Sequence, residues 1–536
     1  MIGAGEMALL RPQELPDACA GALAEGWRMQ LAYAWWPDPK SLELRYLLSR
    51  AALRAFAVWR CRPAGPVPSL APICPLLGWY EREIADLFGV EFVGHPEPHR
   101  LVLREGAQPV LPPFDPDYPP DLAVPVDQTR RFIPEVAGAV ADVQELPFGP
   151  IRADVAEAAE FLFYYIGEAI LHYQPRLFFK HRGMEKRFEG LLPGTAVVLA
   201  ERISGVGSLA HALAYCQAVE AASGCTVPPR AQSLRVLLAE LERLYNHLHY
   251  LGHLAHTTTL KVGEAEGKLI EERTKQLNAR LTGSRLLRSM LMPGGLRRDL
   301  APQGWLGDAL DLLRPQIEAY CRRLAGTDSH LDRLITTGVL DRETAFDQGA
   351  TGPVERASGL DRDLRRDHPY AGYGALEVAL PVREAGDAYA RFEVRIAEIA
   401  VSLDLIRQVL QRLPDGPVRS ECRPPPGSEG IGWSESPRGA LFYAVHLDGA
   451  GRLARVKIKS PSFSNWRVFP STVHGTNMMD YAINEIAWAI MSFGGAAMLL
   501  AERPPSATGR SVLFMLALLE VGAVALLIAV VLLAGP

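Results

Sequence analysis

The segment from Ser511 to Gly535, SVLFMLALLEVGAVALLIAVVLLAG, constrains the chain most, because its one ionisable side chain is Glu520. At 1.5 Å rise per residue, a helix of that length spans about 37 Å, more than the roughly 30 Å of a bilayer core. The sequence therefore predicts a single C-terminal transmembrane helix over 511–535; a very apolar helix docked on a partner is the other reading. Arg503 and Arg510 stand just before the run and no charge follows it. The positive-inside rule then leaves the body on the cytoplasmic face of the cell's inner membrane. Glu520 is expensive in lipid and is expected to face another membrane helix or a polar path.

Everything before that run reads as a packed body. Hydrophobic residues make up 48% and charged residues 22%, and the net charge of −5 offers no basic footprint for nucleic acid. The seven cysteines include no CxxC pair, which argues against a disulfide scaffold and against a cysteine-built cluster in this chain. The polar N-terminus does not read as a secretory signal, so a reducing compartment is expected. Residues 1–105 alternate apolar and polar side chains, as in Glu43–Leu48 and Phe56–Cys61, and predict a small α+β domain. A Pro-rich linker is expected over 106–144. Residues 145–505 predict a mainly α-helical domain with a small β-region. Its long helices fall near Ala231–His256 and Asp387–Leu413, and a hairpin falls near Gly439–Lys459 with Asp448-Gly449 at its turn.

Two sets of motifs carry more information. The first is Gly78-Trp79-Tyr80-Glu81-Arg82-Glu83-Ile84-Ala85-Asp86-Leu87-Phe88-Gly89-Val90-Glu91-Phe92, a charged turn or helix start followed by an aromatic anchor. It resembles the signature of the 30-kDa (C-type) subunit of respiratory complex I and its hydrogenase relatives, where the segment docks on neighbouring subunits. The second set is ordered along the chain: Gly149-Pro150-Ile151, His181-Arg182-Gly183, Glu201 to His211, Pro229-Arg230-Ala231-Gln232, Glu240 to His247, Gly294 to Leu300, Thr351-Gly352-Pro353, Arg356 to Gly359, Pro437-Arg438-Gly439 and Lys459 to Trp466. This series resembles the large subunit of group 4 membrane-bound NiFe-hydrogenase-like complexes, homologous to the fused 30-kDa and 49-kDa (C and D) components of complex I, the NADH-quinone oxidoreductase. The resemblance covers about residues 40–505.

The departures from that pattern matter most. The resemblance implies two CxxC pairs whose soft thiolates grip nickel and iron. Ser204 and Gly207 occupy the first pair's positions, and Ser492–Arg503, where the second belongs, contains no cysteine. Hydrogen chemistry at such a centre is therefore excluded, and no cofactor is expected in this chain itself. The quinone-binding pattern has changed too. Arg152 stands where the family's histidine is expected, Gly205 near the tyrosine, and about Thr257 at the supporting aspartate. A fixed cation at Arg152 favours an anion or a carboxylate. Arg152, His181, Ser204, Gly207 and His211 are thus the candidates around the old cavity, with a structural helix-end hydrogen bond the other reading for His181.

His249, His253 and His256 share one helix face at i, i+4 and i+7. Three readings stand: a shared metal, a polar cavity wall and a plain packing face. Arg356, Asp363, Arg365, Asp387 and Arg391 are read either as a buried ion-pair network or as a charged path toward the membrane. The resemblance further implies an iron–sulfur small subunit bearing a 4Fe-4S cluster beside the cavity. It also implies antiporter-like and H-type membrane subunits, with a quinone or another electron acceptor. NADH, where used, belongs to another subunit. The expected function is that of one component of an energy-converting oxidoreductase that couples electron transfer to ion movement without hydrogen chemistry. A non-catalytic coupling scaffold with a vestigial cavity is the alternative.

Overall fold

The computed structural model describes residues 7–488, apart from 120–123, 128, 130–132, 137–141, 151–158 and 180–181. Arg152, His181, the 492–503 segment and the predicted span at 511–535 lie outside the described residues. Among those described, no helix is long and apolar enough to cross a membrane.

The two strands read from the N-terminal alternation sit inside a four-stranded sheet, β1 (Met7–Leu10), β2 (Arg28–Asp38), β3 (Ser41–Arg50) and β4 (Ala55–Cys61). Its order is β1-β4-β3-β2; β1 runs parallel to β4 and the other pairs are antiparallel. Helix α1 (Leu15–Ala24) joins β1 to β2, and a minimal parallel pair follows, β5 (Val67–Pro68) with β6 (Phe92–Val93). The Trp79–Phe88 signature is a helix, α2 (Gly78–Phe88), stopped by Gly89 in the left-handed conformation.

The second half carries more strand than its sequence announces. Strands β7 (Gln144–Phe148), β8 (Glu160–Ile166) and β9 (Ala169–Arg176) form one antiparallel sheet. After α3 (Met184–Phe188) come α4 (Pro193–Ala200), α5 (Ser208–Ser223), α6 (Pro229–Thr257) and α7 (Lys261–Thr282). A small pair, β10 (Leu291–Met292) and β11 (Gly295–Leu296), precedes α8 (Leu306–Ala325) and α9 (Ala388–Arg412). The α9 helix is capped by Asp387, whose carboxylate accepts the Ala390 N–H at 2.7 Å. The predicted hairpin is part of a three-stranded sheet, β12 (Glu429–Ser436), β13 (Gly439–Leu447) and β14 (Leu453–Lys459). Helices α10 (Pro461–Val468) and α11 (Tyr481–Trp488) complete the described chain.

Helix α5 lies directly on β12, and two glycines permit it. A Cβ on Gly430 or Gly432 would collide with the α5 backbone at Ala218 and Ala214. That requirement explains why a strand spelled Glu-Gly-Ile-Gly-Trp escapes propensity rules, which disfavour glycine in strands.

The two halves share one core. Trp35 stacks on His446 with ring centroids 4.1 Å apart, and the Tyr33 hydroxyl bonds His446 Nε2 at 2.9 Å. Phe56 packs against Trp433, Tyr80 against Phe463, and Arg45 forks onto Glu429. One charge of α2 serves this join. Glu83 is buried and accepts from Lys457 Nζ at 2.6 and 2.7 Å, while Asp86 accepts the backbone N–H groups of Leu101, Val102 and Leu103. The segment expected to dock on a neighbouring subunit docks on its own chain. Within the Pro-rich stretch, Phe114 is buried, stacked on Phe88 and covered by the Arg455 guanidinium 4.5 Å from its ring.

Candidate functional site

Ser204 and Gly207 sit on the tight turn that feeds α5, and the fold brings them together with His211. The Ser204 hydroxyl oxygen accepts the Gly207 N–H at 3.3 Å. A Cβ at Gly207 would stand 3.5 Å from Ser204 Oγ and 3.8 Å from His211 Cδ2. The turn is held from several sides. The Asn246 side-chain amide and the Tyr245 hydroxyl both donate to the Val206 carbonyl, at 2.8 and 3.0 Å. Arg182 donates to the Arg202 and Ile203 carbonyls, and Arg288 to the Ser208 hydroxyl.

Glu242, buried on α6, accepts the Leu209 and Ala210 N–H groups at 2.8 and 2.9 Å. A carboxylate there satisfies donors that a helix start leaves orphaned. Burial outweighs those bonds and lifts its pKa to about 7. His211 is fully enclosed and bonds the Tyr443 hydroxyl through Nδ1 at 2.9 Å. Burial, then the charges of Arg438 and Arg182, lowers its pKa to about 3, so the ring is neutral.

These groups do not fit a nickel–iron centre. Of the two thiolate positions on this turn, one holds a hydroxyl engaged with the backbone and the other has no side chain. Among the described residues, no three metal-ligating side chains gather into a set able to hold a metal ion.

Behind the turn lies a buried ion-pair network. Arg356 pairs with Glu398, with Asp363 at 3.2 Å and with Glu435 at 3.4 Å. Arg365 pairs with Asp363 at 2.7 Å and Glu240 at 3.2 Å. Arg243 lies 3.3 Å from Glu240 and donates to the Glu435 and Ser436 carbonyls, which places Pro437 and Arg438 beside the turn. His247 Nε2 bonds Glu398 at 2.7 Å, and burial keeps that imidazole down at about 4. Of the charged residues read from sequence, Arg356, Asp363 and Arg365 join this network. Asp387 caps α9, and Arg391 bonds main-chain carbonyls and the Asn484 side chain.

The histidine face of α6 is met by carboxylates of α7 that its own sequence spacing does not reveal. His249 Nδ1 lies 3.1 Å from Glu271, and His256 Nδ1 lies 2.8 Å from Glu264, with the two helices antiparallel. His253 stands between, 6.0 Å from each neighbour ring. A small, half-open cleft runs beside this face, lined by Asn246, His247, His249, Tyr250, His253, Arg395, Pro437, Arg438 and Ile486. Asn246 and Arg438 connect it to the Ser204–His211 turn. Tyr443, Glu242 and Glu398 were not singled out in the sequence as site residues. Glu242 sits in the quoted 240–247 motif, and the other two come from far along the chain.

Comparison with known proteins fixes the lineage. Residues 11–122 match the model described as the 30 Kd subunit of respiratory-chain NADH dehydrogenase. Residues 269–425 and 418–491 match its 49 Kd subunit, and residues 182–282 match the nickel-dependent hydrogenases. Formate hydrogenlyase subunit 5 of Escherichia coli (strain K12) is 33% identical over 421 residues, covering 77% of this chain and 74% of that protein. The C/D subunit of NADH-quinone oxidoreductase from Gluconacetobacter diazotrophicus is 33% identical over 466 residues, covering 77% and 76%. Among solved structures, a chain of the membrane-bound sulfane sulfur reductase, an archaeal respiratory membrane complex, matches with a TM-score of 0.61 and 29% identity over 65% of this chain and 96% of that one. The chain belongs to the family of fused complex I C/D subunits and group 4 hydrogenase large subunits.

Proposed function

We propose that the chain is the C/D-type component of a membrane-bound, energy-converting oxidoreductase that couples electron transfer to ion translocation and performs no hydrogen chemistry. The carrying observation is the turn before α5, where Ser204 and Gly207 meet at the positions of the family's first thiolate pair. An iron–sulfur small subunit with a 4Fe-4S cluster would sit beside that turn. Antiporter-like and H-type membrane subunits would complete the assembly, with a quinone or another acceptor taking the electrons. The apolar run 511–535 anchors the body to the cytoplasmic face of the membrane.

The test is made on the complex purified with its small subunit. Reduction of the cluster is followed by electron paramagnetic resonance, with and without added quinone, alongside nickel analysis and a hydrogen-evolution assay. Quinone-dependent reoxidation without nickel or hydrogen supports the reading. Stoichiometric nickel or hydrogen evolution overturns it. A complex without a reducible cluster favours the coupling scaffold instead.

A further inference from the structure

Among the described residues, Arg395 on the cleft wall and Arg391, about one turn before it on α9, are buried with no acidic side chain at ion-pair distance, Glu398 and Asp387 acting on them only from farther off. Arg395 is 1% exposed and donates to the carbonyls of Arg391, Ala487 and Trp488. Arg391 is fully buried and bonds carbonyls and the Asn484 amide oxygen. Among the described residues neither makes an ion pair, whereas Arg243, Arg356 and Arg365 all do. Burial lowers the pKa of both, Arg391 to about 9. An unanswered buried charge is costly unless something of opposite sign approaches it.

The cleft wall supplies what such a group would need. Among the described residues, no acidic side chain lines it. Arg395 lies over the Tyr250 ring, 4.1 Å from its centroid, and the buried Tyr250 hydroxyl, which faces that donor-only guanidinium, has no acceptor for its own O–H among the described residues. His249 Nε2 is equally buried and unpartnered among them, its Nδ1 being taken by Glu271.

We propose that this cleft binds a small oxyanion, its charge answering Arg395 and an oxygen accepting from the Tyr250 hydroxyl. A carboxylate and an inorganic oxyanion share that chemistry. The inference does not rest on the redox reading, because binding is measured without turnover.

Acetate and sulfite are titrated separately into the purified complex by calorimetry at low ionic strength, with chloride as the matched control. The expected result is saturable binding of at least one oxyanion that chloride does not reproduce. Acetate alone identifies the carboxylate source and sulfite alone the inorganic one. Tyr250→Phe weakens the binding about tenfold, the worth of one hydrogen bond to a charged group. Arg395→Met abolishes it; where circular dichroism shows that variant unfolded, Tyr250→Phe decides. Absence of saturable binding by both oxyanions, or binding unchanged in Tyr250→Phe, overturns the proposal.

Discussion

Lys457→Met tests how the two halves of the chain are joined. Lys457 is buried between Glu83, at 2.6 and 2.7 Å, and Glu185, at 3.2 Å. Glu185 keeps Arg455 at 2.6 Å and the Ile458 N–H after the change, but Glu83 loses its one ion-pair partner among the described residues. Removing one member of a buried pair costs about 3–5 kcal/mol, mostly the penalty on the charge left behind. The Glu83 pKa, already raised by burial against the pull of Lys457, then rises further. An acid whose folded pKa exceeds its unfolded value stabilises below the unfolded value and loses that contribution as pH climbs. Below the parent's own raised Glu83 value both proteins carry the acid protonated, so the deficit of Lys457→Met widens only as pH climbs through that value toward the variant's still higher one.

The double variant Glu83→Gln with Lys457→Met removes both charges and is expected within about 1 kcal/mol of the parent, since neutral replacement of a buried pair is often harmless. Urea denaturation of the four proteins of this cycle measures the coupling, expected at about 2 kcal/mol or more. A single variant that loses less than about 1 kcal/mol, or a double variant no better than the single, refutes the reasoning.

Other outcomes follow from the same geometry. Gly432→Ala forces α5 off β12 and is expected to destabilise by about 3 kcal/mol or more, read as a lowered denaturation midpoint. Glu435 has its pKa raised by burial, and by the neighbouring Asp363, to about 8. It therefore stabilises fully below 4.5 and progressively less up to about 8, and Glu435→Gln flattens the stability profile across that window. Tyr443→Phe leaves His211 Nδ1 without its partner and costs about 1–3 kcal/mol in chemical denaturation. Ser204→Cys with Gly207→Cys restores one thiolate pair of two, so the purified double variant evolves no hydrogen; evolution of the gas would contradict the assignment.

Local pattern made much of the fold legible. The leucine periodicity marked α6, and Asp387 marked the start of α9, because a periodic face and a capping carboxylate are both encoded within a few residues. Strand β12 was hidden because its glycines answer to α5, more than two hundred residues away in sequence. The site divides the same way. Ser204, Gly207 and His211 lie within eight residues of one another, and the resemblance to the family motif groups them. The Tyr443 hydroxyl on His211 and the Arg356–Glu398 pair are long-range meetings that no local pattern records. The histidine face left a signal of its own: Glu264 and Glu271 repeat at seven residues on α7, the interval separating His249 from His256 on α6.

The buried network explains how this architecture stands without thiolates. Its acids are Glu240, Asp363, Glu398 and Glu435, and its guanidiniums are Arg243, Arg356 and Arg365. Burial and the neighbouring Asp363 push the Glu435 pKa up to about 8, whereas at Glu240, Asp363 and Glu398 the surrounding guanidiniums outweigh burial and hold the carboxyls below their ordinary values. His247, held at about 4, adds no charge. The unit ties α6 and α9 to β12 through side-chain pairs. Neither Ser204 nor Gly207 belongs to it. A change of side chain on that turn therefore leaves these pairs in place. Glu435 is the one carboxylate of the network whose pKa lies near neutrality.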